Sequence, residues 1–127
     1  MVANLLELIP SETVRLNPDR LEHLYVQLGD VAAEDMLGRA VEELAVRLAQ
    51  CRALWLGQHW QDLRRMVRSL AAISDQIGMT SLVRVAGDVT LAIDAGDDPA
   101  LGATLFRMVR IGERSLTAVW DVRDLSL

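Results

Sequence analysis

Trp60-Gln61-Asp62-Leu63-Arg64-Arg65-Met66-Val67-Arg68-Ser69-Leu70-Ala71-Ala72-Ile73-Ser74-Asp75-Gln76-Ile77-Gly78-Met79 is the stretch on which the reading of this chain turns. At about 100° per residue, a helical wheel divides it cleanly in two. With Arg68 at zero, Gln61, Arg64, Arg65, Ala72 and Asp75 fall within about 60°, and Ala71 sits at the edge of that arc. Leu63, Met66, Val67, Leu70, Ile73 and Ile77 lie on the opposite side. This spacing predicts a helix with one face buried against other helices and Arg68 near the centre of the other. On this segment alone, an ordinary amphipathic helix with a basic outer face satisfies the same pattern.

Punctuation on either side extends the helical reading. Asn17-Pro18 pairs an N-cap side chain with proline at the first helical position. Leu21, Leu24, Tyr25 and Leu28 follow at helical spacing, and Gly29 ends that short helix. Asp30 is placed to cap the next helix, whose stripe of Leu37, Val41, Leu44, Leu48, Cys51 and Trp55 runs to a stop at Gly57. Gln58 and His59 connect it to the quoted stretch, which Gly78 closes. Thr80 or Ser81 is placed to cap a further helix carrying Leu82, Ala86, Val89 and Ile93, terminated at Gly96. Asp98-Pro99 repeats the start signal. Leu101, Leu105, Met108, Gly112, Leu116 and Val119 then lead the last helix toward Trp120.

Clean period-2 alternation and hairpin dipeptides are absent, so no strand is predicted. Short connections between long helices favour antiparallel neighbours. The expected fold is therefore all-α: an antiparallel up-down-up-down four-helix bundle with a short N-terminal helix, roughly residues 18–28, covering one end. Residues 1–15 form an N-terminal segment in which positions 2–9 offer a further helical turn or two. Residues 16–127 form one domain.

Composition narrows the function classes. The chain has 127 residues, enough to bury roughly two-thirds of its unfolded surface without metals or disulfides. Apolar residues make up 51%, yet no uninterrupted run approaches the roughly 18 needed to span a membrane. The first residues carry no basic leader, and Glu7 interrupts their short apolar stretch, which argues against a secretory signal. Cys51 is the single cysteine, so no internal disulfide forms, and a reducing cytoplasmic setting is expected. A formal net charge of −5 disfavours nucleic acid and anionic membranes as partners. All 13 basic residues are arginine.

The quoted stretch resembles the helix that carries the active histidine in histidine-containing phosphotransfer (HPt) domains. That family's signature runs Ala-His-Ser-Leu-Lys-Gly and is followed by a glycine that closes the helix. Here the corresponding residues are Val67, Arg68, Ser69, Leu70, Ala71 and Ala72, with Gly78 as the closing glycine. The resemblance extends from about residue 16 to 120. Leu16 to Leu21 and Leu28-Gly29-Asp30 are similar to the family's short first helix and the break after it. Leu56 to Arg65 is similar to the approach to the active helix, and Leu82 to Asp97 to the helix that follows.

The resemblance implies a four-helix bundle and a place in bacterial two-component phosphorelay signalling, with the histidine itself missing. Phosphotransfer needs an imidazole nitrogen with a free lone pair. Arg68 stands at that position, and its guanidinium stays protonated, with a pKa above about 12, and offers no acceptor. Ala71 replaces the lysine that would neutralise phosphate charge, whereas Ala72 keeps the small size of the family's glycine. The expectation is a non-enzymatic docking protein, without metal or cofactor, that binds a receiver domain of a response regulator or a hybrid sensor kinase. Its expected docking residues are Gln61, Arg64, Arg65, Arg68, Ala71, Ala72 and Asp75.

Two other readings stay open. One is an active phosphotransfer protein using His59, which precedes position 68 by nine residues, roughly 13 Å along a helix axis; His23, on the short helix, is the other histidine. The second is a helical interaction or oligomerisation module outside phosphorelays. Oligomeric state is not fixed by the sequence. Cys51, on an apolar stripe, reads as a packed small hydrophobe. Asp94, Asp97 and Asp98 straddle a helix end and a helix start, where capping and solvation account for them. Glu42 and Glu43 belong to a solvated face, and Trp55, Trp60 and Trp120 plug the bundle ends. No Walker loop, dinucleotide fingerprint, metal-ligand spacing or nucleophile elbow occurs.

Overall fold

The structure, a computed structural model, describes residues 14–126, with side chains through Asp121. Among the described residues there are helices and turns and no strand. Five helices follow in order: α1 (Pro18–Leu28), α2 (Asp30–Leu56), α3 (Trp60–Gln76), α4 (Thr80–Ala95) and α5 (Asp98–Ser126). The expected turns at residues 2–9 lie outside the described residues.

Helix α1 begins as its sequence dictates. The Asn17 side-chain oxygen accepts from the N–H groups of Asp19 and Arg20, and Pro18 fills the first turn. The start of α1 is fastened to the turn between α3 and α4, because the Asn17 N–H donates to the Gly78 carbonyl at 2.7 Å. Gly78 has φ +75°, and a Cβ there would lie 2.9 Å from the Asn17 carbonyl oxygen and 3.0 Å from the Arg20 Cβ. Glycine is thus required twice, for its backbone angle and for the close approach.

Several helix boundaries differ from the sequence expectation. Asp30 is the first residue of α2 rather than its cap; Gly29 holds the cap position at φ 80°. Helix α3 ends at Gln76, and Ile77 and Gly78 form the turn. Neither Thr80 nor Ser81 caps α4, whose N-cap is Met79. Instead the Thr80 hydroxyl donates to the Gly78 carbonyl, and the Ser81 hydroxyl accepts from the Arg15 N–H at 2.8 Å. Asp97, not Asp98, caps α5, accepting from the Ala100 N–H at 3.0 Å. At the start of α4 the Ser81 N–H donates to the Arg15 carbonyl, and at the start of α5 the Ala100 N–H donates to the Asp97 side chain, so these orphan donors find acceptors other than the expected caps.

Each long helix packs on the next, α2 on α3, α3 on α4 and α4 on α5, and α2 also packs on α5; α1 packs on α2. One core runs through the set. Leu37, Val41, Leu44, Leu48 and Cys51 enter it from α2, and Leu63, Val67 and Leu70 from α3. Leu82, Val85, Ala86 and Val89 enter from α4, and Leu101, Leu105, Met108, Ile111 and Val119 from α5. Val85, Ala92, Ile111 and Met79 are buried beyond the expected stripes, while Ile93 and Leu116 are only half-buried. Leu28, expected on the α1 stripe, is the last residue of α1 and is 45% exposed.

The tryptophans divide. Trp55 is half-buried and meets Phe106 edge-on, with ring centroids 5.3 Å apart, and Trp60 packs on the core. Trp120 does not mark a helix end: α5 continues to Ser126, and the ring is 49% exposed. No helix among the described residues is long and apolar enough to cross a membrane.

Candidate docking face on α3

Helix α3 buries Leu63, Val67, Leu70 and Ser74 and leaves Gln61, Arg65, Arg68, Ala72 and Asp75 exposed. Met66 and Ile73 are half-buried at the margins. Ser74, a polar side chain on the buried side, satisfies itself by donating to the Leu70 carbonyl at 2.7 Å. The two faces of the helical wheel are therefore present in the structure, and the residues expected on the outer face lie together on one helix.

Polar contacts fasten α3 to three neighbours. Toward α4, Arg64 presents Nε and Nη2 to the two carboxylate oxygens of Asp94 at 2.8 and 3.0 Å. This fork-to-fork geometry is the strongest arrangement open to the pair. It holds the Asp94 carboxyl below the usual carboxylate range and pushes the Arg64 guanidinium further up, in each case chiefly through the hydrogen bond. Toward α1, Asp75 pairs with Arg20 at 3.4 Å. Toward α2, Arg47 Nε donates to the Ser69 hydroxyl at 3.0 Å, while its Nη1 donates to the Glu43 carbonyl. Arg65 pairs with Asp62 one turn earlier on α3 itself.

Arg68 stands apart from this pattern. It is exposed, lies midway along α3, and among the described residues it makes no ion pair or side-chain hydrogen bond. Ala72, one turn on, is exposed, and Ala71 is half-buried, so low relief adjoins the free guanidinium. Arg64 and Arg65, grouped with Arg68 by sequence, each already hold a carboxylate. The face thus carries one uncommitted positive group flanked by two compensated ones. Arginine in this setting donates in a planar fork suited to a carboxylate or phosphate, and accepts nothing.

Sequence reasoning missed Asp94, Arg47 and Ser69 as supports of this helix. Their partners are 30 and 22 residues away, and opposite charge alone does not single out a pair at that distance.

The remaining reactive side chains are placed elsewhere. His59 is exposed in the N-cap position of α3 without a side-chain cap, and His23 is exposed on α1. Cys51 is fully buried, and burial pushes its thiol up to about 12, so the nucleophilic thiolate is scarce at neutral pH. Asp94 and Asp97 serve an ion pair and a helix cap. Among the described residues, no group of three His, Cys, Asp or Glu side chains is placed to hold a metal ion. Comparisons with protein families, with characterised proteins and with solved structures find no match.

Proposed function

We propose that this protein is an HPt-like docking protein of bacterial two-component signalling that does not itself accept phosphate. In this reading the four long helices form an antiparallel up-down-up-down bundle, with α1 covering one end. The ring of helix contacts and the short turns at Gly57–His59, Ile77–Met79 and Gly96–Asp97 support that topology. The α3 face docks a receiver domain of a response regulator or a hybrid sensor kinase, in the cytoplasm.

One observation carries the proposal: the free guanidinium of Arg68 at the centre of an exposed helix face, where the resemblance expects an imidazole. An acidic pocket on a receiver offers paired carboxylate oxygens, and Arg68 offers the matching fork. Small side chains at Ala71 and Ala72 let another surface come close. Arg64 and Arg65, already paired, contribute shape and orientation rather than net charge. A positive centre on a chain of net charge −5 also orients the encounter.

Purified receiver domains from the same cell test this directly. The wild-type chain is expected to bind one of them saturably, and Arg68→Glu to bind it ten- to a hundredfold more weakly. Equal binding by both chains defeats the proposal. Acid-labile phosphate on the protein after incubation with a phosphorylated receiver would instead favour transfer through His59.

A further inference from the structure

The outer side of α2 and α5 carries a feature that neither the core nor the α3 face uses. An apolar groove of about 430 Å³ runs between these two helices. Ala45, Ala49, Ala53 and Leu56 line it from α2, and Val109 and Leu116 from α5. The three alanines are exposed, Leu56 is 67% exposed, and Val109 and Leu116 are half-buried. Helix α2 already buries Leu37, Val41, Leu44, Leu48 and Cys51 in the core. Ala45, Ala49, Arg52 and Leu56 make a second stripe at steps of four, three and four residues, and Val109, Glu113 and Leu116 follow on α5 at steps of four and three. Such alternation is the spacing by which one helix seats against another. The small alanine side chains let an incoming helix come close.

The charges beside the groove select its occupant. Arg52 stands on the α2 wall and Glu113 on the α5 wall, and both are exposed. Leu48 packs over Gly112, so Arg52 lies one helical turn beyond that contact while Glu113 adjoins it. The two are out of register, and among the described residues neither side chain makes an ion pair or a hydrogen bond. One unpaired cation and one unpaired anion on the same apolar face form a self-complementary set. A two-fold axis passing between them brings Arg52 of each copy to Glu113 of the other and completes both pairs at once. A partner carrying one sign of charge would satisfy only one of them.

We infer that this groove is the interface of a homodimer, with a second copy of the chain as its occupant. The α2 and α5 helices of one copy lie against those of the other. Burial of the groove's alanines, Leu56, Val109 and Leu116 supplies affinity, and the two Arg52–Glu113 pairs fix the register. The interface shares no residue with the α3 face, so the two proposals stand or fall separately.

Sedimentation velocity of the full chain across a hundredfold range of concentration tests the inference. The average mass is expected to rise from that of one chain to that of two and to stop there. Arg52→Glu and Glu113→Arg each set like charges together twice in the dimer, and each is expected to weaken association tenfold or more. Mixed in equal amounts, the two variants regain both opposite-charge pairs and are expected to associate within a few-fold of the wild type. Circular dichroism checks that each variant keeps its helical fold. Arg68→Glu is expected to leave dimerisation unchanged. A wild-type chain that stays single throughout overturns the inference, as does growth beyond two chains. So does a mixture that associates no better than either variant alone, or equal loss on Arg68→Glu.

Discussion

Arg68 and Tyr25 show how differently single residues yield to reading. Arg68 is exposed because its position on the helical wheel opposes Leu70, Val67 and Leu63, and any helix over this segment would turn it outward. Whether it was paired could not be read that way, since Arg64 and Arg65 share its arc and both turned out to hold carboxylates. Tyr25 lay on the expected apolar stripe of α1, and its ring packs against the core as that predicts. Its hydroxyl, however, is buried with no hydrogen-bond partner among the described residues. Burying an unpaired hydroxyl costs free energy that removing it recovers. Tyr25→Phe should therefore be neutral or stabilising by up to about 1 kcal/mol, as read by urea denaturation. A clear loss of stability would show that the hydroxyl has a partner.

At the scale of elements, apolar periodicity made all five helices of the described residues legible, while their ends were less so. The Asn17-Pro18 start was legible because cap and proline act within a few residues of each other. The start of α4 was not, because Ser81, a plausible cap, instead receives the Arg15 N–H from 66 residues away. Gly78 was expected only to stop α3; the structure adds the close contact with Asn17 that joins the α3–α4 turn to α1. Gly78→Ala must adopt a left-handed backbone and push back that contact. A loss of about 2 kcal/mol is expected, from the backbone angle and the steric conflict together. Thermal unfolding measures it, and an unchanged midpoint would show that the turn relaxes freely.

For the whole molecule, the closure of α2 onto α5 sets how the four long helices share one core. Gly112 was placed on the buried stripe of α5, and a Cβ there would lie 2.5 Å from Leu48 Cδ1 and 2.9 Å from Cδ2. Both methyl groups of a buried leucine face it, so rotating that side chain brings little relief. Gly112→Ala should destabilise the fold by about 1 kcal/mol, although alanine favours the helix itself. Gly102 supplies the control, because its Cβ would make only ordinary contact with Trp55 at 3.6 Å. Gly102→Ala should be neutral or stabilising in the same denaturation experiment. Reversal of that order would mean that α2 and α5 approach each other differently. The helix partners were foreseeable from turn lengths, whereas the apolar groove between α2 and α5 was not. Ala45, Ala49 and Ala53 lie far along the chain from Val109 and Leu116, and only packing brings them to one place.

The most direct test of the account is the affinity of the folded chain for receiver domains from its own cell, measured for wild type, Arg68→Lys and Arg68→Glu. The account predicts saturable wild-type binding, weaker binding by Arg68→Lys, which keeps the charge but loses the fork, and ten- to hundredfold weaker binding by Arg68→Glu. Indifference of that affinity to the charge at position 68 would contradict it.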